Sequence, residues 1–191
     1  MIITTTTLDD YYNNINKNDQ IHVSCSPRLL PPITNIQVNF DGLCQPCNPG
    51  GTACFAFIVK NKEGNTIHSE YGLAAYASTN NVAEYTGIIR ALEWLLKNNL
   101  TNENIIVRGD SRLVIYQIKR QFKVRAPNII PLYYEAKSLY SKFNNLQFEW
   151  IPREQNEEAD KLAHRAYEEI VHGRTSMDIR YEQTTCREKY V

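Results

Sequence analysis

The sequence predicts an α/β domain, a mixed sheet with helices on its faces, over about residues 35–172. Three strand-like segments follow one another from Ile36 to about Tyr76, and helices and strands then alternate as far as Gly173. The flanks differ in kind. Residues 1–34, rich in Thr, Asn, Asp and Pro, and residues 173–191 carry no sustained apolar period. The first is expected to be a flexible polar arm ending at Pro31-Pro32, the second a C-terminal tail.

Ile36, Val38 and Phe40 alternate with Gln37, Asn39 and Asp41, the period of a strand with one apolar face. Gly42 to Gly51 reads as a turn-rich connection. Strands near 52–60 and 66–76 follow, joined by the polar turn Asn61 to Asn65. Ile88, Ala91, Leu92, Leu95 and Leu96 set the apolar stripe of a helix from about Asn81 to Asn98. Asn104 to Arg108 is a short strand, and Ser111 to about Arg120 a second helix. A third helix is expected from Pro127, a residue that the first helical turn tolerates, to about Phe143. Leu146, Phe148 and Trp150 alternate in a last strand. The final helix runs from about Asn156 to Val171, with Gly173 as its stop.

With 191 residues, 42% of them hydrophobic and 22% charged, the chain has the make-up of a globular protein with one main core. Its 21 basic and 21 acidic residues cancel, so a polyanionic partner would have to be held by local patches. The N-terminus shows no basic-then-apolar signal, and no apolar stretch is long enough to span a bilayer. The expectation is a cytoplasmic monomer with no membrane partner. Five cysteines, Cys25, Cys44, Cys47, Cys54 and Cys186, form no dense framework, and a reducing cytosol would keep them as thiols.

The chemistry-bearing pattern is a set of carboxylates at element ends. Asp41 closes the first strand and points away from its apolar face. Asp110 closes IIVRGD before a helix, the kind of strand end where α/β sheets gather sites. Glu84 heads the row Glu84, Ile88, Ala91, Leu95, which puts a carboxylate on a buried stripe. Asp160 lies in the first turn of the last helix, beside Ala159, Ala163 and Ala166. Each also has a structural explanation. Asp110 would serve as an N-cap, and Glu84 as partner to Asn81 in a capping box. Asp160 would suit a helix dipole, and Asp41 an Asp-Gly turn. Spacing alone does not show that the four meet. Were they to meet, mutual repulsion would demand a cation, and oxygen donors suit Mg²⁺ or Mn²⁺. Two such ions activate water and stabilise the leaving oxygen of a phosphodiester.

The segments VNFDGLCQPCNPGG, STNNVAEYTG, IIVRGDS and WIPREQNEEADKLA, in this order and each with its acid, resemble the type 1 ribonuclease H family. The likeness is greatest to its short, archaeal-like form and covers about residues 36–172. It implies a ribonuclease H-like five-stranded mixed sheet flanked by helices, in keeping with the element order. It implies that Asp41, Glu84, Asp110 and Asp160 hold two divalent ions, Mg²⁺ or Mn²⁺. Asp41 would bridge them, Asp160 would serve the ion that activates water, and Glu84 and Asp110 the ion facing the leaving 3′-oxygen. The implied reaction cuts the RNA strand of an RNA/DNA hybrid, leaving 5′-phosphate and 3′-hydroxyl ends, with double-stranded RNA as a side substrate.

The resemblance also implies substrate contacts. Cys44, Asn48 and Glu84 would meet RNA 2′-hydroxyls, the group that separates RNA from DNA. Thr79, Asn80 and Asn81 match a polar stretch that meets DNA phosphate and minor-groove edges, although Thr and Asn also cap helices. Lys119, Arg120, Phe122, Lys123 and Arg125 form a local basic cluster, either for DNA phosphates or as a solvated helix end. The bacterial form carries a histidine before the last acid, and here Arg153 or Glu154 stands in its place. Cys44-Gln45-Pro46-Cys47 lacks the second ligand pair of a zinc site, which leaves Cys47 incidental. His164 reads as a solvent-facing helix residue, and Trp94 and Trp150 as packing residues. Two other functions share these features. One is an integrase- or resolvase-type nuclease, against which the TNN…E and DGLC…NPGG motifs argue. The other is a non-catalytic hybrid- or duplex-RNA-binding module, which would need the loss of an acid.

Overall fold

The computed structural model describes residues 2–4 and 35–173. In chain order the strands are β1 (Ile2–Thr4), β2 (Ile36–Gln45), β3 (Gly51–Lys60), β4 (Thr66–Ser78), β5 (Asn104–Gly109) and β6 (Asn145–Trp150). The helices are α1 (Asn80–Lys97), α2 (Arg112–Ile118), α3 (Ile130–Tyr140) and α4 (Glu157–His172), with a 3-10 turn at Arg153–Gln155. The sheet runs β1-β4-β3-β2-β5-β6. β2, β3 and β4 are antiparallel neighbours, whereas β5 pairs in parallel with both β2 and β6. The expected five-stranded mixed sheet is therefore present. β1, from the segment expected to be an arm, adds a short antiparallel edge to β4, from Ile2↔Gly72 to Thr4↔Glu70. The rest of that arm and the tail after Gly173 lie outside the described residues.

β3 sits mid-sheet and is covered on both faces, which explains its unbroken apolar run rather than an alternating one. On one face, Ile88, Ala91, Leu92 and Leu95 of α1 meet Val38, Phe40, Phe57 and Val107 in the main core. Burying each Leu or Ile of that stripe contributes about 1.5–3 kcal/mol. On the other face, Ala163 and Ala166 of α4 pack on Cys54, Ala56 and Tyr71. Small residues on both sides bring that helix close to the sheet. Among the described residues no helix is long and apolar enough to cross a membrane.

The first strand does not stop at Asp41 but runs on to Gln45, shrinking the connection to residues 46–50. Gly42 serves close approach, not a turn: a Cβ there would lie 2.4 Å from the Glu84 nitrogen and 2.9 Å from the Ala83 Cβ. The third helix starts at Ile130 rather than Pro127, and Pro131 is the proline in its first turn. Residues 126–130 instead close a turn, with Ile129 N and Ile130 N both donating to Ala126 O. α2 stops at Ile118, and Arg120 just beyond it takes a left-handed φ of 61°.

Candidate functional site

β2 and β5 pair only from Ile36↔Ile105 to Asn39↔Arg108. Beyond that point β2 stays with β3, while the chain leaves β5 at Gly109 and turns into α2, so the two strands part. Three acids reach the gap: Asp41 from β2, Asp110 from the end of β5 and Glu84 from α1. One carboxylate oxygen of each lies within 4.8 Å of the others. Glycines set these approaches. Gly42 admits the first turn of α1, and a Cβ at Gly109 would strike the Phe40 ring at 2.4 Å.

The capping explanations fail for two of the acids. Thr79 caps α1, accepting from Val82 N at 3.3 Å, so no Asn81–Glu84 box forms. Glu84 instead accepts from Asn80 Nδ2 at 3.3 Å. Ser111, not Asp110, occupies the N-cap position of α2. Asp41 lies inside a strand, not in a turn.

The site's electrostatics call for a cation. Glu84 is 3% exposed, and its Oε2 is buried with no hydrogen-bond partner among the described residues. Burial first, then the charges of Asp41 and Asp110, push its carboxyl well above the usual range. Burial and then Asp110 push Asp41 up to about 7. An orphaned buried oxygen beside two further carboxylates is a donor set that fits a hard divalent cation.

Asp160 stands outside this trio, near enough for its charge to raise Asp41 further. Its Oδ1 accepts from the Arg153 guanidinium at 2.7 Å, and His164 Nε2 lies 3.9 Å from its Oδ2. Arg153, largely exposed, also opposes the rise at Asp41. The structure thus brings three of the four expected acids into one cluster and leaves the fourth in an ion pair at its rim.

Asn156 escaped the sequence reading as anything but a helix start. It precedes α4 but makes no side-chain cap. At 1% exposure, its Nδ2 donates to Phe40 O at 2.9 Å and to Asp110 Oδ1 at 3.1 Å, and its Oδ1 accepts from Asn39 Nδ2 at 3.0 Å. One amide therefore ties α4 to β2 and orients Asp110. Asn is also a common cap, and that hid the role.

The expected substrate residues spread around this cluster. Asn48 Oδ1 accepts from Asn80 N at 3.0 Å, joining the 46–50 turn to the start of α1. Cys44 is buried, its thiol donating to Cys47 O at 3.2 Å and directed to Ser78 O at 3.5 Å, so its sulfur faces inward. Cys47 is disulfide-bonded, against the expectation of thiols throughout, whereas Cys44 and Cys54 are thiols. Thr79 and Val82 line a groove of about 440 Å³ whose far wall includes Asn128, which the sequence reading passed over. Asn81 is half-buried in the first turn of α1. Lys119 and Lys123 are exposed on the loop after α2, which Gln117 Nε2 holds through Lys123 O at 3.5 Å. Trp94 stacks on His68 in the core, but Trp150 is 36% exposed and is no simple packing residue.

A family model described as reverse transcriptase-like matches residues 39–166. A bifunctional protein of Mycobacterium tuberculosis is 37% identical over 119 residues, 62% of this chain and 32% of that protein. The chain thus spans about a third of the length of the mycobacterial relatives it matches. Ribonuclease HI of Halobacterium salinarum is 32% identical over 134 residues, 70% of this chain and 65% of that protein. Among solved structures, LC11-RNase H1 in complex with an RNA/DNA hybrid is 32% identical with a TM-score of 0.66, over 71% of this chain and 99% of that one.

Proposed function

Since the chain belongs to the type 1 ribonuclease H family, we propose that it is an endoribonuclease hydrolysing the RNA strand of RNA/DNA hybrids. The observation that carries this reading is the trio Asp41, Glu84 and Asp110, with a buried Glu84 oxygen that has no hydrogen-bond partner among the described residues. That a relative was solved with a hybrid bound supports the substrate.

Asp41, Glu84 and Asp110 would hold divalent ions, Mg²⁺ or Mn²⁺, and Asp160 would join them by giving up its bond to Arg153. When bound, a pair of such ions supplies the Lewis acidity that activates water and stabilises a leaving oxygen. The water oxygen adds to phosphorus and the P–O3′ bond breaks, leaving 5′-phosphate and 3′-hydroxyl ends. Asn156 keeps Asp110 turned toward the cluster through the reaction. Glu84, Asn48 and the backbone of Cys44 face the RNA strand, where a 2′-hydroxyl gives a contact that DNA lacks. Thr79, Asn80 and Asn81, with the groove toward Asn128, take the DNA strand, and Lys119, Lys123 and Arg153 neutralise phosphates. Duplex RNA, which also presents 2′-hydroxyls, is the secondary substrate.

The test is cleavage of labelled RNA/DNA hybrid, duplex RNA and duplex DNA with Mg²⁺, Mn²⁺ or EDTA, by the wild type and Asp110→Asn. RNA cutting in the hybrid that needs metal, ends in 5′-phosphate and is lost in the variant is expected. Cutting of duplex DNA would instead assign an integrase- or resolvase-type nuclease. Hybrid binding without cutting by metal-loaded protein would assign a binding module.

A further inference from the structure

Arg112 is the first residue of α2, two positions after Asp110, and is exposed. Its guanidinium carbon lies 5.4 Å from the Trp150 ring centroid and 5.8 Å from that of Tyr116. Tyr116 in turn meets Phe122 edge-on at 5.1 Å, and Phe122 belongs to the basic loop from Lys119 to Arg125. Trp150 closes the other end, its Nε1 donating to Asp110 O at 3.0 Å. A continuous ladder, Trp150–Arg112–Tyr116–Phe122, therefore runs from the acidic cluster across α2 to the basic loop.

Three features of the ladder are poorly explained by folding alone. Arg90, Arg108, Arg153 and Arg165 each pair with a carboxylate, whereas Arg112 has no such partner among the described residues. A cation in the first turn of a helix also opposes the backbone dipole, where an acid would be favoured. Finally, Phe122 and Trp150 remain 47% and 36% exposed, so the stack does not serve to bury them.

We propose that Arg112 clamps a backbone phosphate of the bound hybrid beside Asp110, a role that rests on the hydrolase reading above. Stacking on ring faces holds the guanidinium plane and leaves its N–H edge directed outward, which lowers the rotamer entropy lost on binding a phosphate. The fork geometry matches two phosphate oxygens. The positive charge stands next to a cluster of carboxylates that would otherwise repel the polyanion.

The test is fluorescence anisotropy of labelled RNA/DNA hybrid in Ca²⁺ across a salt series, with steady-state cleavage in Mg²⁺, for wild type, Arg112→Gln and Arg112→Lys. Arg112→Gln is expected to weaken binding about 10-fold, irrespective of sequence, and to reduce the slope of log K against log salt by about 1. KM should rise while kcat stays within about twofold, because a contact to a phosphate other than the scissile one acts on binding. Arg112→Lys should fall between, keeping the charge but not the fork. A merely structural arginine would shift the melting temperature and leave the salt slope intact. Wild-type cleavage with an unchanged slope in Arg112→Gln overturns this role alone. Failure of the wild type to bind any hybrid overturns it together with the hydrolase reading.

Discussion

Replacing Asp41 by Asn removes one charge from the trio while keeping its shape. The native carboxyl titrates near 7 against an ordinary value of 3.8. A group raised in this way favours the fold fully below pH 3.8, and that contribution is lost as pH rises through about 7. In metal-free wild type at pH 8, ionising Asp41 inside the cluster therefore costs stability. The rise from 3.8 to about 7 corresponds to about 4 kcal/mol, and relaxation around a partly hydrated site brings the observable effect to about 2 kcal/mol. For a chain of this size that is a change of about 4–8 °C in melting temperature. The neutral amide also relieves Glu84, whose carboxyl is raised in part by Asp41. Melts in EDTA at pH 4, 5, 6, 7 and 8 should show the variant gaining on wild type across this window, nearly level at pH 4, already ahead at pH 5 and furthest ahead at pH 8. Mg²⁺ at pH 8 should then raise the wild type and leave the variant almost unmoved. Parallel pH profiles, or equal responses to Mg²⁺, would refute the reasoning that these carboxylates repel one another until a cation arrives.

Asn156→Ala removes a buried amide with partners on Phe40, Asp110 and Asn39. It should destabilise by about 2–3 kcal/mol in urea unfolding and lower kcat more than it raises KM, since Asp110 loses its orientation. Gly42→Ala drives a methyl into the rigid backbone at Ala83 and Glu84. A cost of about 1–3 kcal/mol is expected, with a drop in activity as Glu84 is displaced, read from melts and hybrid cleavage. Arg153→Ala should barely alter stability, because the pair with Asp160 is largely exposed. It frees Asp160 for a cation, so calorimetry should find Mg²⁺ bound about two- to fivefold more tightly, and unchanged or weaker binding would argue that Asp160 takes no part.

Local chemistry made much of this protein legible. The alternation Ile36, Val38, Phe40 gave a strand, the row Ile88, Ala91, Leu92, Leu95 gave a helix, and both lie in the main core. A carboxylate on a buried stripe, Glu84, conflicts with the pattern around it, and that conflict marked the site before any geometry was known. Asp41, inside a strand, and Asp110, just past a strand end, belong to the same class of signal. Periodicity reports which face a residue takes, however, and not which element covers that face. Gly42 looked like a turn because glycine's freedom is visible in sequence, whereas the turn of α1 that needs its missing Cβ is not. Asn156 looked like a cap because its bonds run to Phe40, Asp110 and Asn39, at least 46 positions away along the chain. Asp160 passed as an equal member of the four, and only the approach of Arg153 sets it apart. Trp150 fitted a core period, yet the exposed rim beside Arg112 is a property of the assembled sheet end. The sequence by itself determined the elements and the acids, because both depend on a residue and its near neighbours. Tertiary structure alone decided how far each acid is desolvated and what it faces, because burial and Coulomb forces act across elements that the chain order keeps apart.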